Sequence, residues 1–405
     1  MDLISLIVNL PTDLQYLLTN YDPTILFILP VDLLKKYDWF KLIKLNFSLL
    51  YDKRTSTNEE IMHTYAHNCT YERPKIICGY RHTFIILTDG TLMSYGHNCY
   101  GQLGIGNVPD QNIFTEIKDI NKNIAEVVCG YSHTIIRFTD GTLMGCGDNT
   151  YGQLGLTDGV NPTVPLLTEI KNIPKNIVKV TCGYYSTFIR LTDGTLMSCG
   201  YNTCGHLGLG NSKIRNPYFK VVPGIPKNII EVSTGHDHTI IRLTNGKLMG
   251  CGRNTDGRLG IKNKKIFEIF TEIDNLPRNI AEAVCGLFET VIRLTDGTLM
   301  CSSAFCNSDT RFLEMDISPL SKPVAKVLCY GYPIITLTDD RVFHYKFPTF
   351  TEISGIPINI AEVISASTHI TIRLTDGTLM KAKSTVFDGE YGFTGLTSDS
   401  FTKIN

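Results

Sequence analysis

The chain has 405 residues, 43% hydrophobic and 19% charged, with a net charge of -1. This composition excludes a disordered chain, and the near-zero charge argues against nucleic acid as the main partner, since a surface that tracks phosphates carries a basic excess. Glycine and proline follow no three-residue period, which excludes a collagen-like fibre.

The chain begins Met1-Asp2-Leu3-Ile4-Ser5, apolar but without the basic stretch of a secretory signal. The richest apolar run, Thr24 to Leu34, is broken by Pro30 and Asp32 and is too short to span a bilayer. No membrane partner is expected, and the chain reads as intracellular, in cytoplasm or nucleus. Its 13 cysteines form no Cys-x-x-Cys pair, which fits reduced thiols better than a disulfide framework. Asn68-Cys69-Thr70 matches a glycosylation sequon, which has meaning only in a secreted chain.

Residues 1–72 stand apart from the rest of the chain and carry a net charge of -3. Leu10-Pro11-Thr12-Asp13-Leu14 has the form of a helix start, with proline in the first turn and an acid favoured by the helix dipole. Leu14, Leu17, Leu18 and Tyr21 have helical spacing, and further helical patterns run through 31–37 and 38–50. Read from the residues alone, this small α-helical segment is a cap packed against the remainder of the molecule. Leu10-Pro11 followed by short leucine-rich helices to Leu50 also resembles an F-box, which implies docking of a ubiquitin-ligase adaptor.

From residue 73 onward the sequence repeats. Leu87-Thr88-Asp89-Gly90-Thr91-Leu92-Met93 recurs at Phe138 to Met144, Leu191 to Met197, Leu294 to Met300 and Leu374 to Met380. Leu243 to Met249 and Leu337 to Val342 are degenerate copies. The turn position falls at 90, 141, 194, 246, 297, 340 and 377, in steps of 51, 53, 52, 51, 43 and 37. Seven units of this period predict a repeat array. Within residues 114–155, short strands are predicted at 114–117, 124–129, 133–138 and 142–146, with an Asp140-Gly141 hairpin turn. Four strands per unit and no helical period predict a mainly β fold, a seven-bladed β-propeller over 73–405. The chain ends Phe401-Thr402-Lys403-Ile404, a copy of Phe114-Thr115-Glu116-Ile117, whereas the first unit opens at Pro74 without such a strand. Residues 401–404 are therefore expected to complete the first blade and close the ring.

The order Cys-Gly-Tyr-x-His (Cys129 to His133), Thr-Asp-Gly, Gly-x-Asn and Tyr-Gly-Gln-Leu-Gly resembles the regulator of chromosome condensation (RCC1) repeat, over roughly residues 73–405. The only tryptophan, Trp39, lies outside the array, which disfavours WD40 repeats. The fifth and sixth units lack the Gly-Gln-Leu-Gly segment, and cysteine takes the aromatic position at Cys146, Cys199 and Cys251. The resemblance implies guanine-nucleotide exchange on a small Ran-like GTPase as one activity. In the founding member of that family, acids in the Gly-x-x-His loops contact the GTPase. Asp237 in Gly235-His236-Asp237-His238 matches that position.

No catalytic residue is assigned, because no nucleophile-base pair, P-loop or HExxH motif is present. No metal or other cofactor is expected either. The recurring Cys78, Cys129, Cys182, Cys285 and Cys329 read as buried small hydrophobes. His82, His133, His238 and His369 read as histidines bonded to backbone within their blades. What varies from unit to unit is free for recognition. One such set holds Arg81, Tyr131, Tyr185, Asp237 and Phe288, between the glycine and histidine positions. A second holds His97, Asp148, Tyr201 and Arg253, just before the asparagine. Both are rich in hot-spot residue types. The expected function is a non-catalytic protein-protein interaction module. Its partner is an unidentified protein; a small GTPase and a ubiquitin-ligase adaptor are the specific alternatives, the latter making the chain the substrate receptor of a ligase.

Overall fold

The structure, a computed structural model, describes residues 75–383 with interruptions at 88, 121–122, 157–160, 264, 304–310, 321, 330–332, 340, 347–348, 354–355, 357–359, 366–368 and 375–377. It also describes 401–403 and, in the first segment, 7–8, 10, 15, 26, 29, 31–42, 57–59 and 61–62. Seven four-stranded antiparallel sheets follow one another along the chain, each built from four consecutive strands. They are the blades of a propeller, numbered 1 to 7 below.

Blade 2 shows why these residues form this unit. Its strands are Ile124–Cys129, His133–Phe138, Leu143–Asp148 and Thr163–Glu169. The second strand is almost wholly buried rather than alternating, as expected where a sheet is covered on both faces. The fourth strand is largely exposed, at the outer circumference. Between the second and third strands, Gly141 turns the chain at φ 83°. A Cβ on Gly141 would lie 1.8 Å from the Lys175 carbonyl oxygen, so shape and backbone conformation both demand glycine here.

The core lies between blades rather than within one. Ile135 and Leu154 of blade 2 pack with Ile177, Val180 and Ile189 of blade 3, and an equivalent cluster fills each neighbouring pair. The series returns to its start: Ile76, Cys78 and Ile85 of blade 1 pack with Ile364 and Leu379 of blade 7. The first strands of successive blades line the centre, and blade 1 meets blade 7 there. The Cys78 thiol lies 3.7 Å from the Thr371 hydroxyl across this junction. The ring is closed.

Closure differs from the expectation. Phe401–Lys403 pairs with Leu379–Lys383 of blade 7, and blade 1 has its own fourth strand, Gln111–Glu116. The Phe-Thr strand is thus the last of each unit, not the first. Its partner is the Leu-Met strand just before it, so among the described residues the strand at the chain end belongs to blade 7 and not to blade 1. Blade 5 departs from the pattern: its fourth strand is only Leu313–Glu314.

The first segment has a core of its own. Ile7, Leu26, Leu29, Leu34, Tyr37, Trp39, Leu42, Ile61 and Met62 form one buried cluster that contains no propeller residue. A short helix, Val31–Leu34, falls within the expected 31–37 pattern. Trp39 is fully buried and donates its indole N–H to the Leu34 carbonyl at 2.8 Å. Asn58 braces the same turn, accepting the Trp39 N–H at 2.9 Å and donating to the Tyr37 carbonyl at 2.8 Å. The expected helix through Leu14, Leu17, Leu18 and Tyr21 lies outside the described residues. No helix among the described residues is long and apolar enough to cross a membrane.

Candidate interaction face

Hairpin register brings the two variable sets together. The loop between the first and second strands and the end of the third strand meet at one end of blades 1 to 4. The His97 N–H bonds the Arg81 carbonyl at 3.0 Å, Asp148 bonds Ser132 at 2.8 Å, Tyr201 bonds Tyr185 at 2.9 Å and Arg253 bonds Asp237 at 2.8 Å. Arg81, Tyr131, Tyr185 and Asp237 therefore share a face with His97, Asp148, Tyr201 and Arg253. Phe288 occupies the same loop of blade 5.

An arc of aromatic rings spans blades 1 to 4 on this face. Tyr80 stacks on Tyr131 with centroids 4.0 Å apart, and Tyr131 meets Tyr184 at 5.2 Å and Tyr185 at 5.4 Å. Tyr185 meets Tyr151 at 5.5 Å and Tyr201 at 6.2 Å, while Tyr184 meets His236 at 5.0 Å. Arg81 lies over Tyr80 at 5.3 Å. Tyr80 and Tyr184 are buried, whereas Tyr131, Tyr151, Tyr185 and Tyr201 are half-buried. Burial, and then the neighbouring Tyr80, raise the Tyr131 hydroxyl above its ordinary range, so it stays a neutral donor.

Blade 4 adds charge to this arc. Asp237 is 7% exposed, with His236 Nδ1 3.0 Å and Arg253 Nη1 3.6 Å from its carboxylate. Burial alone would raise it, but His236 and the nearby cations overcome that and hold it below the usual carboxylate range. It is a buried anchor for Arg253 rather than a projecting acid. Asp148 is also buried, accepting the Thr150 N–H at 2.9 Å and hydroxyl at 2.6 Å. Of the nine expected residues, Arg81 and Arg253 are the exposed ones; Tyr131, Tyr185, Tyr201, His97 and Phe288 are half-buried.

Two further members of this face carry weaker marks in the sequence. Tyr151 precedes a turn glycine and reads there as part of the Gly-Gln-Leu-Gly motif. Arg258 takes the glutamine position of that motif and is 1% exposed. It donates to Asp256 at 2.8 Å and to the Leu287 carbonyl at 3.0 Å, and lies 5.4 Å from the Phe288 ring. The departure from Gln at position 258 is the signal that could have found it.

The recurring histidines serve the ring, and their partners differ from the expectation. Three of them reach the threonine of the next blade: His82 to Thr134 at 3.1 Å, His133 to Thr187 at 3.1 Å and His238 to Thr290 at 3.0 Å; the His369 side chain lies outside the described residues. Those threonines donate to carbonyls of the preceding blade's loop, at Gln102, Gln153 and Arg258. Glu289 and Pro333 replace the histidine where the next blade offers Ile334 and Ile370, so donor and acceptor are lost together. Burial lowers His82, His133 and His238 to about 3, which keeps them neutral. The buried cysteines are held as thiols, since burial raises Cys146, Cys182 and Cys285 to about 12.

Among the described residues, one trio gathers ligand-type atoms within 4.8 Å of one another: His97, Cys99 and Asp110. Gln102 Nε2 donates to His97 Nδ1 at 2.9 Å, and its oxygen is fixed by the Tyr100 N–H at 3.0 Å. That contact uses the imidazole lone pair, and three donors fall short of a closed structural zinc set.

Two profiles of the Regulator of chromosome condensation (RCC1) repeat match the chain. One covers residues 75–102, 124–153, 177–205 and 229–258, the other 89–136, 140–189 and 193–241. Ultraviolet-B receptor UVR8 of Arabidopsis thaliana is 33% identical over 188 residues, 46% of this chain and 42% of the receptor. The probable E3 ubiquitin-protein ligase HERC3 of Homo sapiens is 32% identical over 46% of this chain and 18% of its own length. An RCC1 repeat-containing protein of Schizosaccharomyces pombe is 30% identical over 50% of this chain and 60% of its own. The chain thus spans less than two thirds of each of these relatives. The crystal structure of Prp20p from Saccharomyces cerevisiae, described with its binding to Gsp1p and histones, superposes with a TM-score of 0.63 at 15% identity, covering 77% of this chain and 85% of that one.

Proposed function

This chain is a seven-bladed β-propeller whose residues 75–258 match RCC1 repeats, and on that basis we propose that it is a non-catalytic protein-interaction module whose partner docks on the aromatic face of blades 1 to 4. The supporting observation is the continuous arc from Tyr80 to His236, with Arg81 and Arg253 exposed beside it. Rigid, half-buried tyrosines offer contact area at low cost in side-chain entropy, and arginine adds directional hydrogen bonds. The repeat scaffold explains why this face can vary. On blades 1, 2 and 4 the His-Thr contacts fix the loop from beneath, which leaves the outward positions free to vary. The test is affinity capture from the native cell with the full chain and with an Arg81→Ala, Tyr185→Ala, Tyr201→Ala, Arg253→Ala variant. Loss of the captured proteins supports this face; an unchanged set removes it.

A second role belongs to the first segment, as a recruiting module in a ubiquitin-ligase receptor. Its separate buried core around Trp39 favours an independent unit over a simple cap. Co-purification of the full chain, and of a chain with Val8→Asp and Lys36→Glu at exposed positions of this unit, with an Skp1-like adaptor tests it. Absence of the adaptor from both would end this reading. Nucleotide exchange on a Ran-like GTPase has less to stand on, since Asp237 is buried and engaged by His236 and Arg253. A nucleotide-release assay decides it; no acceleration is expected.

A further inference from the structure

Four blades carry a glutamate on the first strand directly opposite an arginine on the second. The pairs are Glu126 with Arg137, Glu231 with Arg242, Glu282 with Arg293 and Glu362 with Arg373. Each is a close ion pair, at 2.8, 2.7, 2.6 and 2.9 Å. The carboxylate does a second job at the junction with the next blade. Glu126 Oε1 accepts the Val180 N–H and Glu282 Oε1 the Val327 N–H, both at 3.0 Å. A carboxylate is thus built into the slot between consecutive blades.

Blades 1 and 6 have lost both partners, with Lys75 opposite Ile86 and Lys326 opposite Thr336. Blade 3 has lost only one. Lys179 stands where the glutamate would be, opposite Arg190. Lys179 turns to the preceding blade and bonds Glu126 Oε2 at 2.8 Å. Arg190 makes no side-chain hydrogen bond or ion pair among the described residues, and it is only half-exposed. Beside it, between blades 3 and 4, lies a cavity of about 250 Å³ lined by Lys179, Thr181, Phe188, Arg190, Glu231 and Val232. Val232 is opposite Ile241, the register position at which Val180 and Val327 give their N–H to a carboxylate. The one acid lining the cavity, Glu231, is held by Arg242.

We infer that the slot between blades 3 and 4 binds a carboxylate from outside the chain, in the place where other blades supply their own. The guanidinium of Arg190 and the Val232 N–H are the donors, and Thr181 lines the cavity beside them. Arginine matches a planar carboxylate with two parallel donors, whereas chloride can use only its charge. The cavity has room for a carboxylate, either that of a free small acid or that of an aspartate or glutamate side chain on a partner. It lies toward the Asp-Gly turn end of the blades, away from the tyrosine arc, so it does not depend on the docking face proposed above.

The full chain is titrated with ¹³C-labelled acetate, and saturable line broadening is followed against chloride of equal ionic strength. In parallel, acetyl-Gly-Glu-Gly-amide and its glutamine counterpart are titrated. Arg190→Gln is expected to weaken acetate binding by about tenfold or more, the loss of one charge-assisted contact. Lys179→Glu restores the pair seen in four other blades and is expected to fill the slot, abolishing binding in a folded protein. Blades 4 and 5 already place Glu231 next to Glu282, so this variant is compatible with the ring. Tighter binding of the glutamate peptide than of acetate, lost in both variants, assigns the slot to a partner's acidic side chain. Acetate binding alone, lost in both variants, assigns it to a free small acid. If neither probe binds beyond chloride, or binding survives Lys179→Glu, the inference is wrong.

Discussion

His82, His133 and His238 are held neutral in the fold at about 3, against an ordinary value of 6.5. The unfolded chain binds protons on these rings below pH 6.5 while the folded chain does not. Stability is therefore complete above pH 6.5 and falls as the pH drops from there toward 3. Each ring contributes about 1.4 kcal/mol per pH unit in that window. His133→Ser, the residue that blade 3 uses at this position as Ser186, removes one such ring. The variant is expected to melt lower at pH 7, because Thr187 loses its partner, and to show a shallower fall in melting temperature between pH 7 and 5. An unchanged slope would mean that His133 is not neutral in the fold. The role of these histidines was only half legible. Their burial followed from recurrence, but the acceptor lies about fifty residues away on the next blade, and no local spacing points to it.

At the scale of the strand and turn, the sequence was informative wherever physics is local. The Asp-Gly turns and the buried second strand were readable because positive φ and two-sided burial leave direct marks on residue choice. The origin of the repeat was not readable. A period has no starting point, so the Phe-Thr strand fits equally well as the first strand of one unit or the last of the unit before it. Only the hydrogen-bond register decides, and it joins Ser94 to Thr115 and Lys381 to Thr402. The same register explains why two variable sets, sixteen residues apart, form one face. A contrast between glycines tests the account of the turns. Gly141 and Gly224 both have positive φ, 83° and 70°, but a Cβ at Gly224 meets nothing within 4 Å. Gly224→Ala should cost about 1–2 kcal/mol, the penalty of left-handed backbone alone. Gly141→Ala should cost clearly more, since the Lys175 carbonyl must also move. Chemical denaturation of the two variants measures the difference; equal losses would show that the turn relaxes freely.

For the whole molecule, the decisive contact is the one that joins the two ends of the array. If the final strand had completed blade 1, the ring would be fastened by backbone hydrogen bonds at its rim. Instead the fastening is apolar and central: Ile76, Cys78 and Ile85 against Ile364 and Leu379. The hydrophobic effect is non-directional and scales with buried area, so this junction, though smaller among the described residues, is of the same kind as the six others and no strand need be exchanged. The final strand then does only what a fourth strand does elsewhere, covering the outer edge of its own blade. Removing residues 401–405 should cost about 1–3 kcal/mol, a few edge hydrogen bonds, and leave a single cooperative melt. Removing residues 360–405 should be far worse, because it strips the inner faces of blades 6 and 1 and leaves two open ends. The expected sign is early, broad unfolding and strong binding of a hydrophobic dye. Melts of the two truncations compared with the full chain test this directly. A collapse on losing only the last five residues would mean that the chain end, and not the apolar junction, holds the ring shut.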